Sequence, residues 1–463
     1  MKVKIIAPSS DEVSPSILSE AKLMPHVAPI YLAALAPEGV DFKLVDMALG
    51  DPVDYDEPCD LVGITVYTTG ADAAFSIADE FIRKGVPVAL GGPHITVFPL
   101  EASQHATTVV IGEAENIWRV LLQDLASGQL KQYYVGGPFD TGSLQGTVYH
   151  DSEYPGLAGL PHLRRDLLPR KRYTLDSIFT TRGCPFGCSF CPVMFLNGTV
   201  VRHRPIEEVV AEVNELRPMY FNLDDSAFPA YDQQYYLDLY RELSGLRPKR
   251  RWMAFGSLNA INQPNGREVL KRAADSGLIV LMVGVESVDE GGLEQSGAWR
   301  KLGAASAESY SLEKTRQAIR AIQDNGIVVN GHFVVGFDND TPDTFVRTLE
   351  FCDEMSIMPS IYILSPVPGS AQYRDFEKAG RILPGMRWAT FDSLHLLFKH
   401  PTLRIDEAEA TLSKVMREGY SMGRIFRRIW HLFKKRPDPY LTLVYLIMQL
   451  GTRKDVRTTP RSE

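Results

Sequence analysis

The chain has 463 residues, which is too long for one ordinary core and predicts two or three domains. Its net charge of −8, without a long basic tract, argues against nucleic acid as the primary partner. Only five cysteines are present, which favours a reducing cytoplasm over a disulfide scaffold. The sequence predicts neither a signal peptide nor a membrane-spanning helix.

The first domain, predicted over residues 1–125, alternates short apolar runs with helical patterns. The predicted strands are 3–7, 42–45, 61–66, 86–90 and 108–111, and the predicted helices include 30–36 and 73–82. This alternation predicts a parallel, doubly wound α/β sheet. Such sheets bind ligands at the carboxyl ends of their strands. No Gly-x-Gly-x-x-Gly follows the first strand, which argues against a nicotinamide cofactor.

Residues 126–173 are rich in glycine and proline and are predicted to be an irregular linker. After it comes the most specific motif, in which Cys184, Cys188 and Cys191 follow a β-branched strand in a loop of glycines and prolines. Thiolates favour zinc or iron–sulfur clusters. Three of them leave one iron of a [4Fe–4S] cluster open for a small chelating molecule. A zinc site completed by His203, or three unrelated buried thiols, are the alternatives.

With Phe190 directly before the last cysteine, this motif resembles the radical S-adenosylmethionine (SAM) superfamily. The resemblance implies that the three cysteines hold a [4Fe–4S] cluster whose open iron binds SAM. One electron, supplied by a donor such as flavodoxin or ferredoxin, then splits SAM to methionine and a 5′-deoxyadenosyl radical.

Six strand candidates in residues 174–372 match the partial (β/α)6 barrel of this superfamily. They are the strand before the cysteines and residues 220–223, 252–255, 279–283, 328–335 and 361–364. Chemistry in such barrels lies at the carboxyl ends of the strands. The sequence therefore directs attention to the side chains that follow each strand.

Two acidic motifs follow the second and fourth of these strands. Asp224 and Asp225 are either SAM ligands, as the resemblance implies, or the cap of a helix. Glu286 lies in a Gly-x-Glu-Ser sequence that resembles the family's SAM-contacting motif, and a buried carboxylate there requires a partner.

The other strand ends add further SAM-site candidates. Ser257 ends the third strand, and Gly331 of the fifth strand is predicted to bring backbone against adenine. His332 alternates with apolar residues and is either a hydrogen-bonded core histidine or a group for proton transfer near the substrate. Cys352 is predicted to lie in the core rather than to bind a second cluster.

The stretches 60–65, 90–94 and 111–115 resemble the cobalamin-binding domain that precedes many radical SAM domains. No Asp-x-His-x-x-Gly motif marks a histidine as the lower cobalt ligand, and a vestigial domain that binds no corrinoid remains the alternative. His94 is either a hydrogen-bonded loop residue or a group within reach of the corrin. The residues that the resemblance places beside cobalamin are Thr65, Gly91, Gly92, His94, Gly112 and Glu113.

Residues 373–463 have a helical pattern. Residues 425–435 combine basic and apolar side chains, and residues 440–450 are nearly all apolar. We interpret them as helices packed on the barrel, with a lipid-docking surface or a lid over an apolar substrate as alternatives. Residues 458–463 are predicted to be disordered.

Together these features predict a cobalamin-dependent radical SAM methyltransferase that methylates an unactivated carbon of a small molecule or lipid. In that family one SAM supplies the methyl group through cobalt and a second supplies the radical. Two alternatives remain open: radical chemistry without methyl transfer (rearrangement, cyclisation or sulfur insertion), and a non-enzymatic iron–sulfur redox sensor.

Overall fold

The computed structural model describes residues 1–8, 24–168, 173, 175–216, 220–224, 231–303 and 309–458. Within these residues the chain forms a seven-stranded sheet, a six-stranded sheet, a two-stranded ribbon and a helical C-terminal region. The predicted disorder of residues 458–463 concerns a segment almost wholly outside the described residues, since only Thr458 lies within them.

The first sheet is parallel throughout, as predicted. Its strands are β1 (Lys2–Ala7), β2 (Asp41–Asp46), β3 (Leu61–Thr65), β4 (Val88–Gly91), β5 (Thr108–Gly112), β6 (Tyr133–Gly136) and β7 (Val148–Asp151). They lie in the spatial order β2-β1-β3-β4-β5-β6-β7. The helices around this sheet are α1 (Val27–Leu35), α2 (Ala71–Arg83), α3 (Pro93–Val97), α4 (Pro99–Ala102) and α5 (Trp118–Ala126).

Strands β6 and β7 contradict the prediction that residues 126–173 are irregular throughout. Tyr133, Tyr134 and Val135 are fully buried in β6, which pairs with β5 on one side and β7 on the other. The glycines of this region flank the short strands and do not interrupt them. The first sheet is therefore two strands wider than the sequence indicated.

The second sheet confirms the predicted six-stranded barrel. Its strands are β8 (Asp176–Ile178), β11 (Tyr220–Leu223), β12 (Arg251–Gly256), β13 (Leu278–Glu286), β14 (Val328–Val335) and β15 (Met358–Ile363), and they lie parallel in that order. A ribbon of β9 (Thr181–Arg182) and β10 (Arg202–His203) follows β8. The barrel helices are α6 (Val193–Asn197), α7 (Ile206–Glu215), α8 (Gln233–Gly245), α9 (Leu258–Asn262), α10 (Gly266–Ser276), α11 (Glu290–Ser296), α12 (Leu312–Asp324) and α13 (Pro342–Met355).

The two faces of the barrel strands differ in burial. In β14, Asn330, His332 and Val334 are half-buried while the residues between them are buried. Strand β15 repeats this alternation with Ser360 and Tyr362. Since alternate residues of a strand point to opposite faces, the outer face is sealed by helices, and the inner face, which lines the chamber of the barrel, is less completely packed. Cys352, on helix α13, is completely buried in the outer layer, as predicted.

Four C-terminal helices follow: α14 (Ala371–Lys378), α15 (Ile405–Gly419), α16 (Met422–Lys435) and α17 (Pro439–Thr458). Leu432 and Leu441 belong to the same apolar cluster as Met253, Val280 and Val328, which lie near the amino ends of their strands. The last two helices therefore close the end of the barrel opposite the cysteines. This position confirms helices packed on the barrel and contradicts a lid over the cysteine end.

Gly92 offers a test of the tight turn after β4. Its φ is +112°, and a Cβ atom would lie 2.8 Å from both the backbone N and O of Val66. Gly85 also has a positive φ, of +78°, but a Cβ there would meet nothing within 4 Å. A positive φ costs alanine about 1–2 kcal/mol at Gly85. At Gly92 the ψ of −177° places the residue in a region that almost only glycine adopts, at about 1–3 kcal/mol, and overpacking adds about 1–3 kcal/mol there.

We therefore expect Gly92→Ala to lower the apparent melting temperature of the apoprotein clearly more than Gly85→Ala does. Differential scanning calorimetry of both variants checks this. Equal shifts would show that the turn relaxes away from Val66.

Candidate active site

The cysteine loop is fixed by backbone contacts to its surroundings. Gly183 has a φ of +97°, and a Cβ there would lie 2.2 Å from the carbonyl oxygen of Val200, so the close approach of the ribbon requires glycine. The amide of Ser189 donates to the carbonyl of Ser296 at 2.9 Å, and the amide of Gln372 donates to the carbonyl of Ser189 at 2.9 Å. The loop thus contacts the barrel from both sides.

The three thiols share one electrostatic neighbourhood. Burial raises the pKa of Cys188 to about 12; Lys301 acts in the opposite direction, and Cys191 and Cys184 add to the rise. Burial also raises the pKa of Cys191. A ligand that takes thiolates must therefore supply enough positive charge to displace protons, as an iron–sulfur cluster does.

The geometry separates a cluster from a zinc ion. Among the described residues, no group of three or more histidine, cysteine or acidic side chains is placed to hold a single metal ion. Tetrahedral zinc with bonds of about 2.3 Å would hold its sulfur atoms about 3.8 Å apart, whereas a cluster spreads its ligands over several irons. His203 packs on Tyr235, with ring centroids 4.6 Å apart, and lies 3.5 Å from Asp232. The described residues therefore do not assemble the zinc site completed by His203.

Phe190 belongs to the cysteine loop and points toward Phe337, just past the end of β14. It is half-buried against the barrel core, and its ring centroid is 6.4 Å from that of Phe337. The amides of Gly336 and Phe337 both donate to Asp340 at 2.8 Å. This turn holds the aromatic pair beside the cysteines, where the resemblance places SAM.

Glu286 is held at the end of β13 in a strained conformation. Its φ is +69°, in a region that costs non-glycine residues about 1–3 kcal/mol, and the β13–β14 register shifts between Gly284 and Glu286. Its carboxylate is buried and accepts a hydrogen bond from Lys301 at 2.7 Å. The partner that a buried carboxylate requires is therefore lysine in this structure.

Lys301 is a site residue that the sequence analysis missed. Burial alone would lower its pKa, but Glu286 and the nearby thiols of Cys188 and Cys191 outweigh burial and raise it. Gly284 makes room for the ion pair, because a Cβ there would lie 2.2 Å from the Glu286 carboxylate and 2.3 Å from the Lys301 ammonium. Lys301 lies on a short 3₁₀ helix, Ala298–Leu302, that carries no recognisable motif.

Ser257 acts on Lys301 through the backbone. It caps α9 by accepting from the amide of Asn259 at 3.2 Å, and its hydroxyl donates to the carbonyl oxygen of Lys301. Its hydroxyl is therefore engaged in positioning the lysine, and direct SAM contact by Ser257 stays a prediction.

Asp224 directly follows β11, and its amide donates to the carbonyl of Ile178 at 2.8 Å. Its side chain is exposed, yet protein surrounds it closely enough to raise its pKa through desolvation. Both properties fit a carboxylate at the wall of a concave site. Asp225 lies outside the described residues.

His332 faces the chamber of the barrel. Its ring lies 5.8 Å from Phe255 and 5.7 Å from Tyr362. Burial and the nearby Lys301 lower its pKa to about 4, so it is neutral near pH 7. Within the described part of the chain its Nε2 has no hydrogen-bond partner, which contradicts a satisfied core histidine.

Gly331 faces the other way. A Cβ on Gly331 would lie 2.8 Å from the side chains of Ile357 and Phe333 in the outer layer. The contact of its backbone with adenine stays a prediction. Packing of the barrel against its outer helices requires the glycine.

The glycines at the strand ends of the first sheet lie against other protein atoms, not open space. A Cβ on Gly112 would lie 2.1 Å from the carbonyl oxygen of Gly136, and one on Gly91 would lie 3.3 Å from Val110. Thr96 links two of these turns, since its hydroxyl donates to the Gly92 carbonyl and accepts from the Gly112 amide, both at 3.0 Å. Strand packing alone accounts for these glycines. Thr65, at the end of β3, is the register partner of Gly91 at the carboxyl edge of the sheet.

His94 is fully buried in an aromatic cage. Its ring lies 4.7 Å from Trp388, 5.2 Å from Phe98 and 6.0 Å from Phe75. Burial lowers the pKa of His94 to about 4, and neither ring nitrogen has a hydrogen-bond partner among the described residues. The ring therefore does not form the hydrogen bond expected of a loop histidine, and its contact with a corrin stays a prediction.

Glu113 joins the two domains. Its buried carboxylate pairs with Arg182 at 2.7 Å and with Arg202 at 2.5 Å. These arginines lie in β9 and β10, and Arg182 stands two residues before Cys184. Asn197 also donates to Glu113, at 3.2 Å. In this structure Glu113 anchors the cluster loop to the edge of the first sheet, and contact with cobalamin stays a prediction.

Known proteins share this architecture. The model of the Radical SAM superfamily matches residues 178–352. The bacteriochlorophyllide d C-8(2)-methyltransferase of Chlorobaculum tepidum is 30% identical over 404 residues, covering 82% of each chain. The C-12(1)-methyltransferase of the same organism is 27% identical, covering 92% of this chain and 88% of that protein.

Solved structures agree on the fold across both domains. The radical SAM methyltransferase TsrM from Kitasatospora setae, with cobalamin and a [4Fe–4S] cluster bound, has a TM-score of 0.66 and 17% identity, covering 99% and 98% of the two chains. OxsB, a cobalamin-dependent SAM radical enzyme, has a TM-score of 0.68 and 15% identity, covering 99% and 78%.

The fold and the cysteine loop define a radical SAM enzyme. With the 30% identity across most of both chains, this chain belongs to the cobalamin-binding-domain radical SAM family, which includes methyltransferases.

The Glu113 bridge yields a prediction about the cluster loop. Glu113→Gln leaves Arg202 without its carboxylate and Arg182 with Glu115 as its remaining acidic partner. The cost is about 2 kcal/mol for a largely buried pair. We expect a lower apparent melting temperature and a lower iron content after anaerobic reconstitution. Glu153→Gln, at an exposed position, is the matched control. Unchanged iron and unchanged melting would mean that the loop is held without this bridge.

Proposed function

We propose that this enzyme methylates an unactivated carbon of an apolar small molecule or lipid, using a [4Fe–4S] cluster, SAM and cobalamin. The observation that carries the proposal is the Glu113 bridge, which holds the cysteine loop against the carboxyl edge of the first sheet. Cluster and corrin sites at these two places would be neighbours. Closely placed reactive groups are what methyl transfer between two cofactors requires.

SAM would bind beside the cysteines, where the Glu286–Lys301 pair offers both charges. Its amino group, bound to the open iron, would donate a hydrogen bond to Glu286, and its carboxylate would pair with Lys301, so that the ligand would insert into the internal ion pair. Phe190 and Asp224 would complete the site. The strained φ of Glu286 and the gap left by Gly284 support a pair built for a ligand.

The corrin would lie at the carboxyl edge of the first sheet. Tyr67, two residues past β3, is 53% exposed, and its ring lies 6.0 Å from that of His26. An exposed aromatic ring at this edge suits a flat macrocycle, which can stack on it. This fit supports cobalamin binding more directly than the glycines do, since strand packing explains those.

The substrate would occupy the barrel chamber. Phe255, Tyr362 and Val334 give the chamber an apolar wall, and neutral His332 adds a polar group without charge. An apolar molecule with few polar groups fits such a surface. The relatives include a bacteriochlorophyllide methyltransferase and the hopanoid C-2 methylase of Rhodopseudomonas palustris, which is 22% identical over 377 residues and covers 78% of this chain and 66% of that protein.

Two partners complete the proposal. A flavodoxin or ferredoxin would supply the electron, and the C-terminal helices would contact a membrane from the periphery, in a cytoplasmic enzyme.

A second candidate is radical chemistry without methyl transfer. The anaerobic magnesium-protoporphyrin IX monomethyl ester cyclase of Rubrivivax gelatinosus is 25% identical over 372 residues, covering 73% of this chain and 64% of that protein. In that case the first sheet would serve as a wall of the chamber.

One experiment separates the two functions. The reconstituted enzyme is incubated with dithionite, SAM carrying a trideuterated methyl group, and apolar substrates such as tetrapyrroles and hopanoids. Mass spectrometry should find 5′-deoxyadenosine together with a product that carries the labelled methyl. A modified product without the label supports the second candidate, and no SAM cleavage with a full cluster contradicts both.

Lys301 provides the sharpest test of the SAM site. Lys301→Met should weaken SAM binding at least tenfold by calorimetry, because one ion pair to a carboxylate is worth more than about 1.4 kcal/mol in a buried site. Arg300→Met, on the same turn but exposed, should bind SAM normally. Iron content should be unchanged in both variants.

The double variant Glu286→Gln/Lys301→Met guards against misfolding, since it leaves no unpaired buried charge. It should hold iron and still fail to bind SAM. Normal SAM binding by Lys301→Met would show that the lysine has a purely structural role.

A further inference from the structure

Helices α16 and α17 form an antiparallel hairpin that is held together by buried hydrogen bonds. Arg428, in the middle of α16, is buried and donates to Gln449 of α17 at 2.6 Å and to the carbonyl of Gly419 at 2.7 Å. Arg453 near the end of α17 donates to the carbonyl of Tyr420 at 2.6 Å, just before α16 begins. The hairpin is thus a defined unit at the amino end of the barrel.

Each helix of the hairpin exposes an apolar stripe. On α16 the stripe follows i, i+4, i+8 and i+11, and on α17 it follows i, i+3, i+7 and i+10, which are the spacings of one helix face. Trp430 and Phe426 are 58% and 57% exposed, and Ile447 and Leu443 are 57% and 52% exposed. The full stripes are Met422, Phe426, Trp430 and Phe433 on α16, and Tyr440, Leu443, Ile447 and Leu450 on α17.

The charge of the hairpin is opposite to that of the chain. Residues 422–458 contain nine lysines and arginines but only two acidic residues, whereas the whole chain has a net charge of −8. Two of the bases pair with acids outside the hairpin, Arg424 with Asp353 and Lys435 with Asp324, and the hairpin remains basic. Lys434 lies 5.2 Å from the Trp430 ring, with Arg427 also exposed beside the α16 stripe.

We propose that this hairpin docks the protein on the surface of an anionic lipid bilayer. The apolar stripes would enter the headgroup boundary, where tryptophan and tyrosine are favoured. The flanking bases would pair with lipid phosphates, as they do for interfacial helices. Among the described residues no helix is long and apolar enough to cross a membrane, so the contact is with one surface.

Charge favours a bilayer over a second copy of the chain. Two hairpins brought face to face would oppose one basic surface to another, which costs free energy at low salt. A bilayer rich in anionic lipid instead complements that charge. The proposal deepens the peripheral membrane contact proposed above, because it names the docking surface and the lipid charge. It does not depend on methyl transfer, because the hairpin lies at the barrel end opposite the cysteines.

Vesicle co-sedimentation of the full chain tests the proposal. We expect wild type to bind vesicles of phosphatidylcholine with 30% phosphatidylglycerol (about one anionic lipid in three) at least tenfold more tightly than phosphatidylcholine alone, with the preference falling as salt rises. Phe426→Ser/Trp430→Ser should weaken this binding at least tenfold, because two anchors are lost. Arg427→Gln/Lys434→Gln should reduce the preference for anionic lipid.

Leu100→Ser is the matched control, because Leu100 is 47% exposed on the first domain, on helix α4. It should bind vesicles as wild type does. Circular dichroism and SAM cleavage should be unchanged in every variant, since the hairpin lies away from the cysteines. Equal vesicle binding by Phe426→Ser/Trp430→Ser and wild type would overturn the proposal. An absence of vesicle binding by wild type would also overturn the proposal. If wild type then forms a dimer that Phe426→Ser/Trp430→Ser abolishes, the apolar stripes bind a second copy of the chain instead.

Discussion

The arrangement of this enzyme depends on a buried group of charges, in which Glu113 pairs with Arg182 and Arg202 while Glu115 also pairs with Arg182. A buried charge is costly unless it is paired, so Glu113, Arg182 and Arg202 have to meet in one geometry. Glu113 directly follows β5, and Arg182 directly precedes the cysteine loop. The same interaction therefore holds the carboxyl end of β5 next to the cysteine loop, and the two candidate cofactor sites become neighbours.

A second ion pair marks the reactive end of the barrel. Glu286 sits in a conformation that favours glycine, Lys301 approaches it over Gly284, and Ser257 holds the lysine's carbonyl. Local backbone preference is broken here while the surrounding strands remain regular. Such breaks are expected at functional sites, where packing supports a geometry that the isolated sequence would avoid.

Local patterns predicted both sheets and the cysteine loop, because apolar runs and glycine–proline breaks determine strands and loops through residues that are neighbours in the sequence. They did not predict Lys301, which reaches Glu286 from a separate short helix with no motif. They also missed β6, whose Tyr-Tyr-Val run is too short to stand out among glycines. The glycines at the strand ends were found, but their cause was not, since only the fold brings Val66 and Gly136 against them.

If one chain holds a cluster and a corrin side by side, the purified protein must retain both groups together. The most direct measurement is the iron and cobalamin content of the chain after anaerobic reconstitution with iron, sulfide and hydroxocobalamin, followed by gel filtration. We predict about four irons, as one [4Fe–4S] cluster requires, together with one tightly retained cobalamin per chain. A protein with a complete cluster that retains no cobalamin would contradict this prediction.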